Sequence, residues 1–158
     1  LKDGGIRVPM IAWWPGKVAP GNESRHVCYF GDWMATAAEL AKTDCPSERD
    51  SISFAPTLLG KEKEQSRHDF LYWEFHERGF SQAALYQGRW KGILERSLSA
   101  PLALYDLASD PAENKDIAAE NPEIVARIGA YLQGARSESE HWAPREQREA
   151  KSQVGALR

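Results

Sequence analysis

At 158 residues, the chain is long enough to bury a core and short enough for one domain. A formal net charge of −3 with 27% charged residues favours neither a nucleic-acid footprint nor a basic membrane patch. No run approaches about 18 apolar residues, so no helix spans a membrane. Two cysteines, Cys28 and Cys45, define no disulfide framework, and a single bridge and two free thiols are both open. Six tryptophans point to a thick aromatic core more than to a carbohydrate-type aromatic surface.

The chain opens on Asp3-Gly4-Gly5, and residues 6–14 then read as an apolar strand with Pro9 near its start, stopped by Pro15-Gly16. A strand this apolar is normally covered on both faces. Since it begins with almost no lead-in, the chain reads as cut from something larger, and the lack of a leader then says nothing about export. Residues 27–30 suggest a second short strand. Asp32 is a good N-cap, and Trp33, Thr36, Ala37, Leu40 and Ala41 recur at helical spacing to about Lys42. Residues 43–50 form a polar loop, residues 54–59 one helical turn ended by Gly60, and residues 61–69 a charged, exposed stretch.

The texture then changes. Residues 70–75, 83–86, 90–94 and 103–105 are short β-type runs joined by tight turns, which predicts an antiparallel meander. Asp110-Pro111-Ala112-Glu113 has the residues of a capping-box-like helix start. Asn121-Pro122-Glu123 repeats that logic for a longer helix, whose Ile124, Ile128, Tyr131 and Leu132 share a face. That face is expected across the small sheet. Residues 137–158 are polar and poorly patterned apart from Trp142, and are expected to be a surface-crossing or disordered tail.

Six short strings, in chain order, carry a family resemblance. Asp3-Gly4-Gly5-Ile6-Arg7-Val8-Pro9 with Trp14-Pro15-Gly16 resembles the "E-G-G-x-R-x-P…W-P-G" segment of the sulfatases, sulfate-ester hydrolases of the alkaline-phosphatase-like superfamily. Asp3 replaces the usual Glu and keeps its charge. Asp32-Trp33-Met34-Ala35-Thr36 resembles that family's "D-x-x-P-T", with Ala35 for Pro, and Asp50-Ser51-Ile52-Ser53 its "D-G-x-S", with Ser51 for Gly. Leu71-Tyr72-Trp73-Glu74-Phe75 resembles the strand that opens its C-terminal subdomain. Gln82-Ala83 with Gly88-Arg89-Trp90-Lys91 resembles its "QA-x-R-x-G-x-WK" hairpin, and Leu104-Tyr105-Asp106-Leu107 with Asp110-Pro111-Ala112-Glu113 its "LYDL-x-x-DP-x-E". The resemblance covers about residues 1–135. It implies an α+β fold: a small antiparallel sheet packed on a C-terminal helix, preceded by an edge strand and helices left from a larger α/β sulfatase domain. Residues 1–65 would end that catalytic domain, residues 66–135 would be the C-terminal subdomain, and residues 136–158 the polar tail.

The resemblance also implies chemistry. Sulfatases of this type use a Cys or Ser oxidised to formylglycine in a C-x-P-S-R-like motif, and a calcium ion held by hard oxygen ligands. The nucleophile lies far upstream in that family, and its metal-binding Asp-Asn pair and sulfate-contacting Lys precede the Gly-Gly segment. This chain is therefore expected to hold no catalytic residue and no metal ligand, and alone to hydrolyse nothing. Cys45-Pro46-Ser47-Glu48-Arg49 mimics the modification motif but has Ser at its third position and lies downstream of the Gly-Gly segment; Cys45 reads as structural or incidental. Lys2 is too close to Asp3 to be the sulfate-contacting Lys.

Two groups remain as site candidates. Asp3, Gly4, Gly5 and Arg7 would lie near the active-site floor by resemblance, with the glycines permitting positive φ or close approach and Arg7 able to pair with Asp3. In a strand, Glu74, His76 and Arg78 share one face, opposite Trp73, Phe75 and Glu77. That polar face is a candidate substrate-pocket rim, against the plainer reading of a solvated strand face. His26 and His68 stand alone in loops and suggest no metal site, and His141 suggests no role.

The reading is thus the C-terminal portion of a sulfatase that hydrolyses a sulfate ester on a small molecule or carbohydrate. No nucleic-acid or membrane partner is expected, and a homodimer through residues 6–14 is expected from the unpaired strand. The family implies a periplasmic or extracellular setting. The alternatives are a related phosphodiesterase or phosphonate hydrolase, and a stand-alone carbohydrate-binding or interaction module.

Overall fold

The computed structural model describes residues 1–46, 49–77, 79–139 and 141. They form two compact units. One is Val8–Asp69; the other joins Leu1–Arg7 to the chain from Phe70 onward.

The second unit is built on a four-stranded antiparallel meander, β1 (Phe70–Phe75), β2 (Ser81–Tyr86), β3 (Trp90–Leu94) and β4 (Ala103–Asp106), in sequential order. The meander follows the sequence pattern. The β2–β3 turn runs from Tyr86 to Arg89, whose N–H donates to the Tyr86 carbonyl at 3.1 Å. Both central residues, Gln87 (φ 51°) and Gly88 (φ 66°), are left-handed, as a turn matching strand twist requires. Strand pairing Tyr86↔Trp90 and Trp90↔Asp106 then fixes the register.

Helix Pro122–Gly134 lies across one face, as its apolar spacing predicts: Ile128 and Leu132 are buried with Ala84, Tyr86 and Leu104. Phe70 stacks between Tyr86 and Tyr131, at centroid distances of 4.7 and 4.1 Å. The helix can approach so closely because β3 carries Gly92 at the crossing point. A methyl group there would lie 2.7 Å from Ile128 Cγ2. Trp90 is half-buried beside this core.

The segment 110–113 does not start a helix. Asp110 instead accepts hydrogen bonds from the backbone N–H groups of Asn114 and Lys115 (2.7 and 2.8 Å), and Glu113 takes φ 55°. The Asp side chain thus caps a turn, a use it shares with helix N-caps. A short 3₁₀ turn, Ala118–Glu120, follows. Just past the helix, Arg136 is largely buried and its Nε sits 3.0 Å from Glu74 Oε2. Residues 140 and 142–158, Trp142 included, lie outside the described residues.

The Val8–Asp69 unit has no strand among its described residues. The expected strand over residues 6–14 is not formed. Asp3–Ile6 make a single helical turn, and residues 8–14 pair with no strand among the described residues, with Val8 78%, Ile11 93% and Trp13 85% exposed. A strand needs a neighbour's backbone groups, and the described residues supply none there. Residues 27–30 likewise form no strand. The Pro15-Gly16 turn does form, with Gly16 at φ 75° and the N–H groups of Lys17 and Val18 donating to the Trp14 carbonyl.

Helix Asp32–Ala41 stops at Lys42 in the left-handed conformation. Its buried side is Asp32, Thr36 and Ala38; of the predicted stripe only Thr36 is buried, and Trp33, Ala37 and Ala41 are exposed. Gly31 is the N-cap, and Asp32 is already the first helical residue. Ala55–Leu58 forms the predicted turn, ended by Gly60 at φ 73°.

Candidate functional site

The buried edge of the Val8–Asp69 unit is polar by design of its sequence. Asp32 is fully buried. Its carboxylate accepts the backbone N–H of Tyr29 (3.0 Å) and of Ile52 (2.8 Å), and both oxygens lie near His68 Nε2, at 2.9 and 3.1 Å. One turn on, the Thr36 hydroxyl donates to the Asp32 carbonyl (2.8 Å) and accepts from Phe54 N–H (3.0 Å). Ser51 Oγ donates to the Gly31 carbonyl at 2.8 Å. The strings 32–36 and 50–54, separate in sequence, are therefore one hydrogen-bonded unit, and buried polar groups here are satisfied as they must be. His68 is not alone in a loop: its Nε2 lies within hydrogen-bond distance of the Asp32 carboxylate, and its ring packs edge-on against Tyr29, with ring centroids 5.3 Å apart. Nearby, burial pushes the Cys28 thiol up, with Asp32 adding to it, and holds His26 below its usual value, with Arg67 adding to that. Cys28 and Cys45 are both free thiols. An open hollow beside this helix is lined by Phe30, Trp33, Met34 and Arg49.

In the sheet unit, the polar face of β1 closes on itself. Glu74 Oε2 accepts the Tyr72 hydroxyl (2.8 Å) and faces Arg136 Nε (3.0 Å), while Oε1 lies 3.1 Å from His76 Nε2. Gln82 donates to the Tyr72 oxygen at 2.9 Å. His76 follows the end of β1 and packs against Phe80. Arg78 lies outside the described residues. Burial pushes the Glu74 carboxyl up, but hydrogen bonds from His76 and Tyr72 and the Arg136 charge outweigh it and hold it below the ordinary value. Burial and the bond to Glu74 push the Tyr72 phenol up to about 12, against the opposing bond from Gln82.

On the other face of the sheet, Lys91 is fully buried. Its ammonium lies 2.5 Å from Asp3 Oδ1 and 3.0 Å from Glu113 Oε1. Asp3 N–H donates to Glu113 Oε2 (2.6 Å), and Lys2 Nζ to the Glu113 carbonyl (2.7 Å). Asp3 thus has a closer partner than Arg7, which stands 3.9 Å away and is largely exposed. Neither Gly4 nor Gly5 has positive φ, and a methyl on either would meet nothing within 4 Å. Lys91 and Glu113 are residues the sequence pattern did not flag for this role. The signal available was a lysine inside an otherwise apolar strand, because a lysine is almost never fully buried unless paired.

The family model for N-sulphoglucosamine sulphohydrolase, C-terminal, matches residues 1–138. This chain belongs to the sulfatase family. Relatives agree with that. An N-acetylgalactosamine-6-O-sulfatase of Bacteroides thetaiotaomicron is 29% identical over 150 residues, covering 85% of this chain and 28% of that protein. Arylsulfatase A of Homo sapiens is 29% identical over 151 residues, covering 80% of this chain and 30% of that protein. Among solved structures, a 2-O GAG sulfatase superposes with a TM-score of 0.55 at 28% identity, covering 65% of this chain and 23% of that one. A sulfatase from a Bacteroides thetaiotaomicron locus for metabolism of multiple glycosaminoglycans superposes at 0.62 and 26% identity, covering 77% of this chain and 27% of that one. This sulfatase chain therefore spans under a third of the length of these relatives. Its α+β sheet-and-helix architecture is theirs.

Proposed function

We propose that the protein carrying this chain hydrolyses sulfate esters on a carbohydrate, and that residues 1–138 complete its fold and part of its pocket. The match of those residues to the sulfatase C-terminal family carries this reading, and the names of the relatives, an N-acetylgalactosamine-6-O-sulfatase and a 2-O GAG sulfatase, support the substrate class. Residues 1–65 would end the catalytic α/β domain and residues 66–135 would be its subdomain. In this reading Asp3, Gly4, Gly5 and Arg7 border the sulfate site. Glu74 holds His76 at the end of β1, and the pair would stand at the rim with Arg78. The chain by itself is expected to be inactive. A calcium ion would suit the intact enzyme, but among the described residues no group of three or more His, Cys, Asp or Glu side chains can hold a metal; the residues here do not fit the ion. No helix among the described residues is long and apolar enough to cross a membrane, and the family resemblance supports a periplasmic or extracellular setting.

The test is to express the full-length protein with formylglycine maturation and to assay sulfate release from 6-O-sulfated N-acetylgalactosamine and from an aryl sulfate. Release from the sugar is expected. Turnover of phosphodiesters or phosphonates, with none of either sulfate, would overturn the reading. His76→Ala is expected to raise KM about tenfold at nearly unchanged kcat, the mark of lost uniform substrate binding.

A further inference from the structure

Lys91, Asp3 and Glu113 come from three distant parts of the sequence and meet where Lys91 and Glu113 are fully buried and the Asp3 side chain is 13% exposed. Lys91 lies on β3, an interior strand of the sheet, between Leu85 and Tyr105 on its neighbours. Its neighbour Gly92 faces the helix, so Lys91 points to the opposite face. Three charges are enclosed there, Lys91, Asp3 and Glu113, and the exposed Lys2 and Arg7 lie beside them. Such a cluster is an expensive way to add stability, because desolvating charges offsets most of their attraction. Apolar residues of similar volume would do that as well. What charged and hydrogen-bonded geometry adds is one fixed arrangement. Here the arrangement fixes Asp3 by two directed contacts, its carboxylate to Lys91 and its N–H to Glu113. Gly4 and Gly5, next in sequence, carry no side chain and have open space around them. The clamp grips the residue before the bare backbone and leaves the bare backbone clear.

We propose that Lys91 and Glu113 are positioning residues: they hold Asp3 so that the Gly4-Gly5 turn is presented in one orientation to the reacting centre of the intact enzyme. This rests on the sulfatase reading above. Neither residue touches substrate; both act through Asp3. A displacement of about 1 Å in a positioning group can cost on the order of 10²-fold in rate, so the effect belongs in kcat rather than KM.

The experiment uses the full-length enzyme and the triple Asp3→Asn, Lys91→Met, Glu113→Gln, which neutralises all three enclosed side chains and so leaves no lone buried charge. Two quantities are read: steady-state kinetics on the sulfated sugar, and hydrogen exchange of the peptide spanning residues 1–10. Exchange at residues 4–7 is expected to rise at least tenfold, and kcat to fall about 10²-fold with KM within about threefold of wild type. Unchanged exchange would overturn the clamp, whether or not the protein is a sulfatase. Faster exchange with unchanged kcat would overturn its positioning role. A folded wild type that releases no sulfate would overturn the sulfatase reading, and the positioning role with it, while exchange still decides the clamp. If the triple does not fold, Glu113→Gln alone, which keeps the Lys91–Asp3 pair, carries both readouts with the same expected directions.

Discussion

At the scale of single residues, burial decides what a charged side chain does. Asp32, His68, Lys91 and Glu113 would each be ordinary surface residues by composition, yet each is enclosed with a charged or hydrogen-bonding partner. Asp32→Ala would strand two backbone N–H groups and His68, and is expected to cost on the order of 3–5 kcal/mol, read as a shift in urea midpoint. Glu74 gives a pH signature. Its folded pKa lies below the ordinary 4.5, so its stabilising contribution is present above the unfolded value and is lost as pH falls through the folded value. The stability gap between wild type and Glu74→Gln should therefore be open at neutral pH and close in acid. Tyr72 acts at the other end. Its pKa is raised from 10.0 to about 12, so its contribution is present below the unfolded value and lost as pH rises through the folded one. Tyr72→Phe should remove a phenolate absorbance step near pH 12, and wild type should lose stability relative to it across that window.

At the scale of elements, the sheet and its helix were legible because two independent patterns agree. Short β-type runs with Gln87-Gly88 between them specify the hairpin, and Ile124, Ile128, Tyr131 and Leu132 specify the helix face. Gly92 joins the two, since it is the point where the helix meets the sheet. Gly92→Ala is expected to cost about 1–3 kcal/mol through overpacking against Ile128. In an Ile128→Ala background the same change should cost less, a coupling that a double-mutant cycle in denaturant would measure. The helix expected at 110–113 failed for a physical reason visible in Asp110. An Asp followed by Pro serves a turn as readily as a helix start, and Glu113 was drawn to Lys91 instead. The strand expected over residues 6–14 failed because a strand is a property of a pair, not of a segment.

At the scale of the whole molecule, the exposed run from Val8 to Trp14 is the feature without a partner among the described residues. Large apolar exposure of this kind marks an interaction surface or an aggregation hazard. In the intact enzyme we expect it to join the larger sheet, and in the isolated chain to drive a dimer. Sedimentation of the isolated chain should show self-association that Ile11→Lys with Trp13→Lys reduces. A monomeric wild type at high concentration would count against the run as a contact surface. Limited proteolysis offers a second reading: cleavage within residues 8–69, with a surviving fragment that begins near Phe70, would show that the sheet unit is the more stable of the two.

The amino-acid sequence by itself determined the family, the meander, the long helix and the turns, because these depend on local periodicity and on strings that lie within a few residues of each other. Tertiary structure alone decided the partners: that Thr36 and Asp32 organise residues 51–54, that His68 answers Asp32, that Glu74 turns inward to Arg136, and that Lys91 reaches Asp3 and Glu113. Charges far apart in sequence carry no sign of one another. They become a site only when the chain removes them from water together, and the cost of leaving any one of them alone is what makes the pairing specific.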